Sequence, residues 1–251
     1  MRPRSGDARR IPWIPIVVLV GVAAVVGIVV FLVVQAGKTK ADRFSHAAAL
    51  ECKLDASGKC TDPSPSLPGQ WVNLPEAWKE GDKLAHYGAS DGPNTNSHVT
   101  HTVDYSKETS ANSSTGLPPV GGPHWGSGSC GDDPASAPAY CGPVPWGIYR
   151  TAWPAESVVH NMEHGGVVVW YNSSDTTVRA NLEKWVGQEG DRGGFVVMTP
   201  YAGIPKDTIA LTAWSRRDVF PAKDLTEKRV KDFIEKLNCH FNPEGFTCGN
   251  M

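Results

Sequence analysis

Residues 157–172 read SVVHNMEHGGVVVWYN. His160, Glu163 and His164 carry the groups best suited to chemistry, because imidazole and carboxylate bind divalent transition metals and move protons. Spacing decides which of them act together. On a helix, positions i and i+4 share a face and i+3 lies beside them, so His160, Glu163 and His164 form one patch suited to zinc. On a strand, His160, Met162 and His164 share a face with Glu163 opposite, a softer set that leans to copper. Gly165 is a natural left-handed residue for a helix end, so the segment is read as a short helical turn stopping at His164.

Two imidazoles do not complete a site. Of the eight histidines, six lie between residues 86 and 164. His124, in GGPHWG, sits on a Gly/Pro loop and is the expected third ligand. His98 and His101 are the weaker candidates. A scaffolding role competes with ligation: His124 and His160 can donate to backbone carbonyls and hold the loop in place, and for His98 and His101 that role carries more weight. His46, His86 and His240 are read as surface residues.

The order His-x-x-Glu-His also occurs in inverzincin proteases, where the glutamate is a general base. This makes a metal-assisted hydrolase with Glu163 as base one alternative. It needs a substantial helix, which Gly165 and Gly166 interrupt. The chain has no G-x-S-x-G, no P-loop and no dinucleotide fingerprint, so no nucleotide cofactor is expected. Hydrophobic residues make up 40% and the formal net charge is -2, an ordinary globular balance that argues against a nucleic-acid partner. A metal-free envelope module, contacting a partner through its aromatic Gly/Pro loop, is the remaining alternative.

The elements that must position these side chains follow from periodicity. HVTHTVDY (98–105) suits a short strand. Residues 105–147 are dense in Gly and Pro yet hold Trp125, Tyr140 and Trp146, with Tyr149 just beyond, the pattern of a structured loop packed on a core. GGVVVWY suits a strand buried on both faces. A helix follows, capped by Ser174 or Asp175, with Val178, Leu182, Trp185 and Val186 inward, ending at Gly187 or Gly190. Strands are expected at 194–200 and at 208–214, the latter returning antiparallel. A second amphipathic helix is capped by Asp224 and buries Leu225, Val230, Phe233, Ile234 and Leu237. The fold class is α/β, with α+β as the variant: a small sheet flanked by two amphipathic helices, with a long Gly/Pro-rich loop region.

Residues 1–10 carry Arg2, Arg4, Arg9 and Arg10 and are read as a basic cytoplasmic tail. Residues 11–34 hold no charge, and roughly 20 such residues cross a bilayer, so they are read as a transmembrane anchor in contact with lipid. A cleaved signal peptide ending at Ala36 is the alternative, although the apolar run is long for one. Residues 35–70 are read as a stalk and linker, and residues 71–251 as an exterior globular domain, with the N-terminus cytoplasmic at the plasma membrane. All six cysteines follow the span. Of fifteen connectivities the nearest-neighbour set is simplest: Cys52–Cys60, Cys130–Cys141 and Cys239–Cys248. No pair has the tight spacing of a zinc thiolate site.

The motifs PPVGGPHW, WGIY, VVHNMEHGGVVVWY and LTAW occur in an order that resembles domain-of-unknown-function family 3105. The family pattern falls here on Pro118, Pro119, Gly122, Pro123 and His124, then Trp146, Gly147 and Tyr149. It continues on His160, Glu163, His164 and Gly165, and ends on Ala213 and Trp214. Gly121 stands where the family commonly has Ser, and Met162 where it commonly has Leu, which argues that Met162 packs rather than ligates. The resemblance implies a single-span anchored protein with an exterior domain, and no known activity. The expected function is binding of a divalent transition metal, zinc or copper, by His124, His160 and His164 with Glu163 near.

Overall fold

The computed structural model describes residues 13–74, 98–99, 102–105, 118–126, 141–241, 243 and 248; His101 and Cys130 lie outside them. The chain divides into a unit of residues 1–43 and a unit of residues 44–251. Helix α1 (Trp13–Glu51) carries the stretch Val17–Ala36, long and apolar enough to cross a membrane.

In the second unit, β1 (Lys53–Leu54) and β2 (Cys60–Thr61) form an antiparallel pair closed by the Cys52–Cys60 disulfide. The Asp55 carboxylate accepts from Ser57 and Lys59 and shapes the turn between them. Two more short strands, β4 (His98–Val99) and β5 (His124–Trp125), pair in parallel.

The main sheet has six strands in the order β3-β10-β9-β7-β8-β6. They are β3 (Gln70–Trp71), β6 (Gly147–Ile148), β7 (Val167–Asn172), β8 (Val196–Pro200), β9 (Thr208–Ala213) and β10 (Arg216–Pro221). In β7 the run Val167–Tyr171 is buried on both faces, as its unbroken hydrophobicity requires. β7 pairs parallel with β8 across helix α3 (Thr176–Asp191) and antiparallel with β9. The fold is therefore mixed α/β, as expected.

Asp175 caps α3 by accepting from the Thr177 and Val178 amides. The helix buries Leu182, Trp185 and Val186, and it runs through Gly187 and Gly190 rather than stopping there. Helix α4 (Glu227–Leu237) buries Val230, Phe233, Ile234 and Leu237. Its cap is Thr226, not Asp224, because Ala222–Asp224 forms a separate 3-10 turn and Thr226 Oγ1 accepts from the Arg229 amide.

The sequence does not predict β10, since Arg216, Arg217 and Asp218 break any apolar alternation. Pairing satisfies it instead. Ala213 and Arg216 face each other across the two-residue turn Trp214–Ser215, with Ser215 at φ 62°. The buried Arg216 guanidinium donates to Asp62 and to the Ser64 carbonyl. Arg229 forks onto Asp218 at 2.7 and 2.6 Å and lies 3.7 Å over the Phe220 ring. The Arg216 contacts to Asp62 and Ser64 and the pairing of Gln70 with Arg217 on β10 engage residues of the expected linker 35–70.

Helix α2 (Ala155–Glu163) is short and nearly all buried, polar residues included. Buried polar groups need partners, and α2 finds them in the loop region. Glu156 accepts from the Val103 amide at 2.8 Å. Asn161 both accepts from the Val144 amide at 2.9 Å and donates to the Val144 carbonyl at 2.7 Å. An Asn161→Leu variant keeps the branched side-chain skeleton but leaves both backbone groups of Val144 without their Asn161 partner. We expect a loss of about 2–4 kcal/mol, read as a lower thermal midpoint of the detergent-solubilised chain. An unchanged midpoint would show that this double hydrogen bond does not hold the loop to the helix.

Candidate metal centre

The His-x-x-Glu-His segment is helical, and this settles the choice left by its spacing. α2 ends in a Schellman motif: Gly165 N–H donates to Met162 O at 3.0 Å and Gly166 N–H to Asn161 O at 2.9 Å. Gly165 takes φ 86°, the left-handed conformation a side chain disfavours. His160 and Glu163 thus share a face, while Met162 is fully buried in the hydrophobic core. The strand-like His/Met/His face that leans to copper does not form.

The other imidazoles arrive on the β4–β5 pair. Its register sets His98 opposite His124 and Val99 opposite Trp125. Tyr105 Oη donates to the Pro123 carbonyl at 2.8 Å and pins the loop just before His124. Gly126 lets the backbone lie against His98: a Cβ there would stand 2.9 Å from His98 Cγ.

One ligand atom from each of His98, His124, His160 and Glu163 lies within 4.8 Å of every other. Glu163 Oε2 is 3.1 Å from His98 Nε2, 2.9 Å from His124 Nε2 and 3.9 Å from His160 Nε2. The three ring centres form a nearly equilateral triangle with sides of 4.9, 5.0 and 5.1 Å. An ion about 2.1 Å from each Nε2, at tetrahedral angles, requires ring centres roughly 5.2 Å apart. The triangle therefore has the size of a tris-imidazole metal site, with the carboxylate on the fourth side.

Tautomers sharpen the picture. His124 Nδ1 is 2.8 Å from the Gly122 carbonyl and His160 Nδ1 is 2.6 Å from the Trp125 carbonyl. A carbonyl only accepts, so both Nδ1 atoms carry protons. This is the scaffolding role anticipated for these residues, and it is compatible with ligation because it uses the other nitrogen. Each Nε2 is then left to face the ionised carboxylate, and the contact requires a cation between them, either a proton on Nε2 or a metal ion that replaces it. Imidazole ligands in metal sites are commonly oriented by such carbonyl bonds.

Electrostatics agrees. Burial pulls the His160 pKa down to about 3, aided by positive charge on His124, so this ring stays neutral. Burial pushes Glu163 the other way, but the charge of His124 and hydrogen bonds from His124 and His98 hold its carboxyl well below the usual carboxylate range. Side-chain exposure is 0% for His124, 4% for His160 and 1% for Glu163, against 27% for His98. Three of these candidate ligands are thus sealed and one borders solvent.

His98, a weaker candidate by sequence, joins the group. His164 lies outside it: as the C-cap residue it stacks on His160, with ring centres 4.8 Å apart and planes 19° apart. The Cys239–Cys248 disulfide sits beside the end of α2, where the Cys239 amide donates to the Gly165 carbonyl at 2.8 Å. Cys141 is also disulfide-bonded; its expected partner, Cys130, lies outside the described residues, as does His101.

A model of the family described as protein of unknown function (DUF3105) matches residues 102–250. The chain belongs to this family. The DUF3105 match includes His124, His160, Glu163 and His164, and begins four residues after His98. No curated protein and no solved structure matches the chain.

Without metal, this cluster sensitises the fold to acid. Unfolded, His160 titrates near 6.5 and therefore binds a proton, between that pH and about 3, that the folded chain refuses. Stability must fall as pH drops through this window. The depressed Glu163 acts in the same direction, its contribution being present above the unfolded carboxyl pKa and lost as pH falls towards the folded one. We expect the chelator-treated, detergent-solubilised chain to lose on the order of a few kcal/mol between pH 6.5 and 4, with a shallower slope in a His160→Gln variant. Thermal midpoints across that range check this; parallel profiles contradict it.

Proposed function

We propose that this chain is a membrane-tethered metal-binding protein whose exterior domain holds one divalent transition ion, zinc or copper(II), at His98, His124, His160 and Glu163. The observation that carries the reading is the convergence of three imidazole Nε2 atoms on one buried carboxylate oxygen, two of those rings having committed their Nδ1 protons to backbone carbonyls. Three nitrogens and one oxygen suit zinc or copper(II), and the disulfide-bonded cysteines offer no thiolate.

The closure of the site favours holding an ion over hydrolysis. Catalytic zinc sites keep a position open for water or substrate. Here four side chains suffice to fill a tetrahedron. Glu163, the base of the hydrolase alternative, points into the ligand group and is 1% exposed. Storage and delivery both suit such a centre.

The stretch Val17–Ala36 supports anchoring through lipid contacts along residues 11–34. Disulfides fit an oxidising compartment outside the cytoplasm. The arginines at positions 2, 4, 9 and 10 suit a cytoplasmic N-terminus at the plasma membrane.

Elemental analysis of the full chain, purified in detergent without a metal-binding tag, tests the assignment. The expected content is about one zinc or copper per chain. His160→Ala and Glu163→Gln are each expected to lower affinity by at least about tenfold while circular dichroism stays unchanged. Metal-free wild-type protein that also refuses added zinc and copper would refute the proposal, as would undiminished binding in both variants.

A further inference from the structure

Metals that share imidazole and carboxylate ligands differ in the shape they demand. Copper(II) favours a square plane, whereas zinc has no geometric preference from its d electrons and is held tetrahedrally at closed four-ligand sites. Three imidazoles on a square plane always include one opposed pair. With metal–nitrogen bonds of about 2.1 Å, the ring centres of that pair stand roughly 6.4 Å apart, and those of the other two pairs roughly 4.5 Å. On one face of an octahedron all three separations are roughly 4.5 Å. The observed separations are 4.9, 5.0 and 5.1 Å. They contain no opposed pair, exceed the octahedral value, and lie nearest the roughly 5.2 Å of a tetrahedron.

The surroundings hold this triangle. His124 and His160 are buried, and each is tied at Nδ1 to a backbone carbonyl. The Trp214 ring stands edge-on to His124 with centres 6.2 Å apart, and His164 stacks on His160 at 4.8 Å. His98 is opposite His124 in the β4–β5 register, with Gly126 against its ring. Flattening the site means moving one ring by more than about 1 Å against packed neighbours. Soft donors are missing from the group as well. Met162 lies in the core and the described cysteines are disulfide-bonded, so copper(I) finds neither thioether nor thiolate there. We infer that the centre is shaped for zinc: it holds zinc in a tetrahedron of His98, His124, His160 and Glu163, and it accepts copper(II) only in a geometry that copper(II) resists. This rests on the metal-binding reading above and deepens it by selecting the metal.

Three ions added separately to the full chain in detergent provide the test. Cobalt(II), the coloured stand-in for zinc, should show the intense visible bands of a four-coordinate ion, not the faint bands of an octahedral one. Copper(II), at one equivalent, should give a rhombic electron paramagnetic resonance spectrum, its parallel hyperfine splitting about two-thirds of the tetragonal value or less. Zinc-loaded chain equilibrated with an equal amount of copper(II) should keep about half of its zinc or more, against the ordinary order of affinities, which favours copper(II). Elemental analysis after desalting reads the zinc retained. Faint cobalt bands, a tetragonal copper spectrum, or loss of the zinc to equimolar copper(II) overturns the selection of zinc and leaves metal binding in place. Uptake of none of the three ions overturns the metal-binding reading with it.

Discussion

A carboxylate withdrawn from water is the constraint around which this domain is organised. Glu163 is 1% exposed, and an ionised group so placed is costly unless positive charge and hydrogen bonds surround it. The chain meets the demand with imidazoles from three segments. One comes from the same helix, one turn back; the other two come from paired strands in the loop-rich part of the chain. The loops must be held to within an ångström or so for this to work, and much of the remaining structure serves that end.

The holding is done by a short helix with an unusual interior. α2 is buried nearly all round, yet it keeps Glu156, Asn161, His160 and Glu163. Each of these reaches a different loop position: Val103, Val144, Trp125, and the His98–His124 pair. Polar side chains inside the core thus act as tethers, giving Gly- and Pro-rich segments the fixed conformation their own backbone cannot supply. At its C-terminal end α2 turns through Gly165 and Gly166 directly into β7, near the middle of the six-stranded sheet. The helix end is therefore tied directly to a fully buried strand inside the main sheet.

Covalent and ionic ties secure the periphery. The Cys239–Cys248 bridge brings the segment after α4 back against Gly165. Arg216 reaches from β10 to Asp62 and Ser64, so the segment after the first disulfide is joined to the sheet by a buried guanidinium. Fully buried arginine is rare without such partners, and its loss of hydration is offset here by a carboxylate and a carbonyl.

What the sequence determined by itself was local. The apolar stretch before residue 36, the buried strand GGVVVWY, the helix after Asp175 and the inward residues of α4 were all legible, because each is written in the period of one continuous segment. So was the end of α2 at Gly165, where a left-handed backbone disfavours a side chain. Among the described cysteines, Cys52–Cys60 and Cys239–Cys248 were legible because each pair closes a short loop. Tertiary structure decided what depends on partners distant in the chain. β10 is a strand because β9 and β3 flank it, against its own charged sequence. Thr226 caps α4 because the preceding residues close their own turn. His98 stands with the buried His124, His160 and Glu163, and His164 stacks outside them, because a two-residue strand register places one ring opposite His124. Periodicity cannot report such a pairing, since spacing along a chain says which side chains share a face, and only packing says what that face meets.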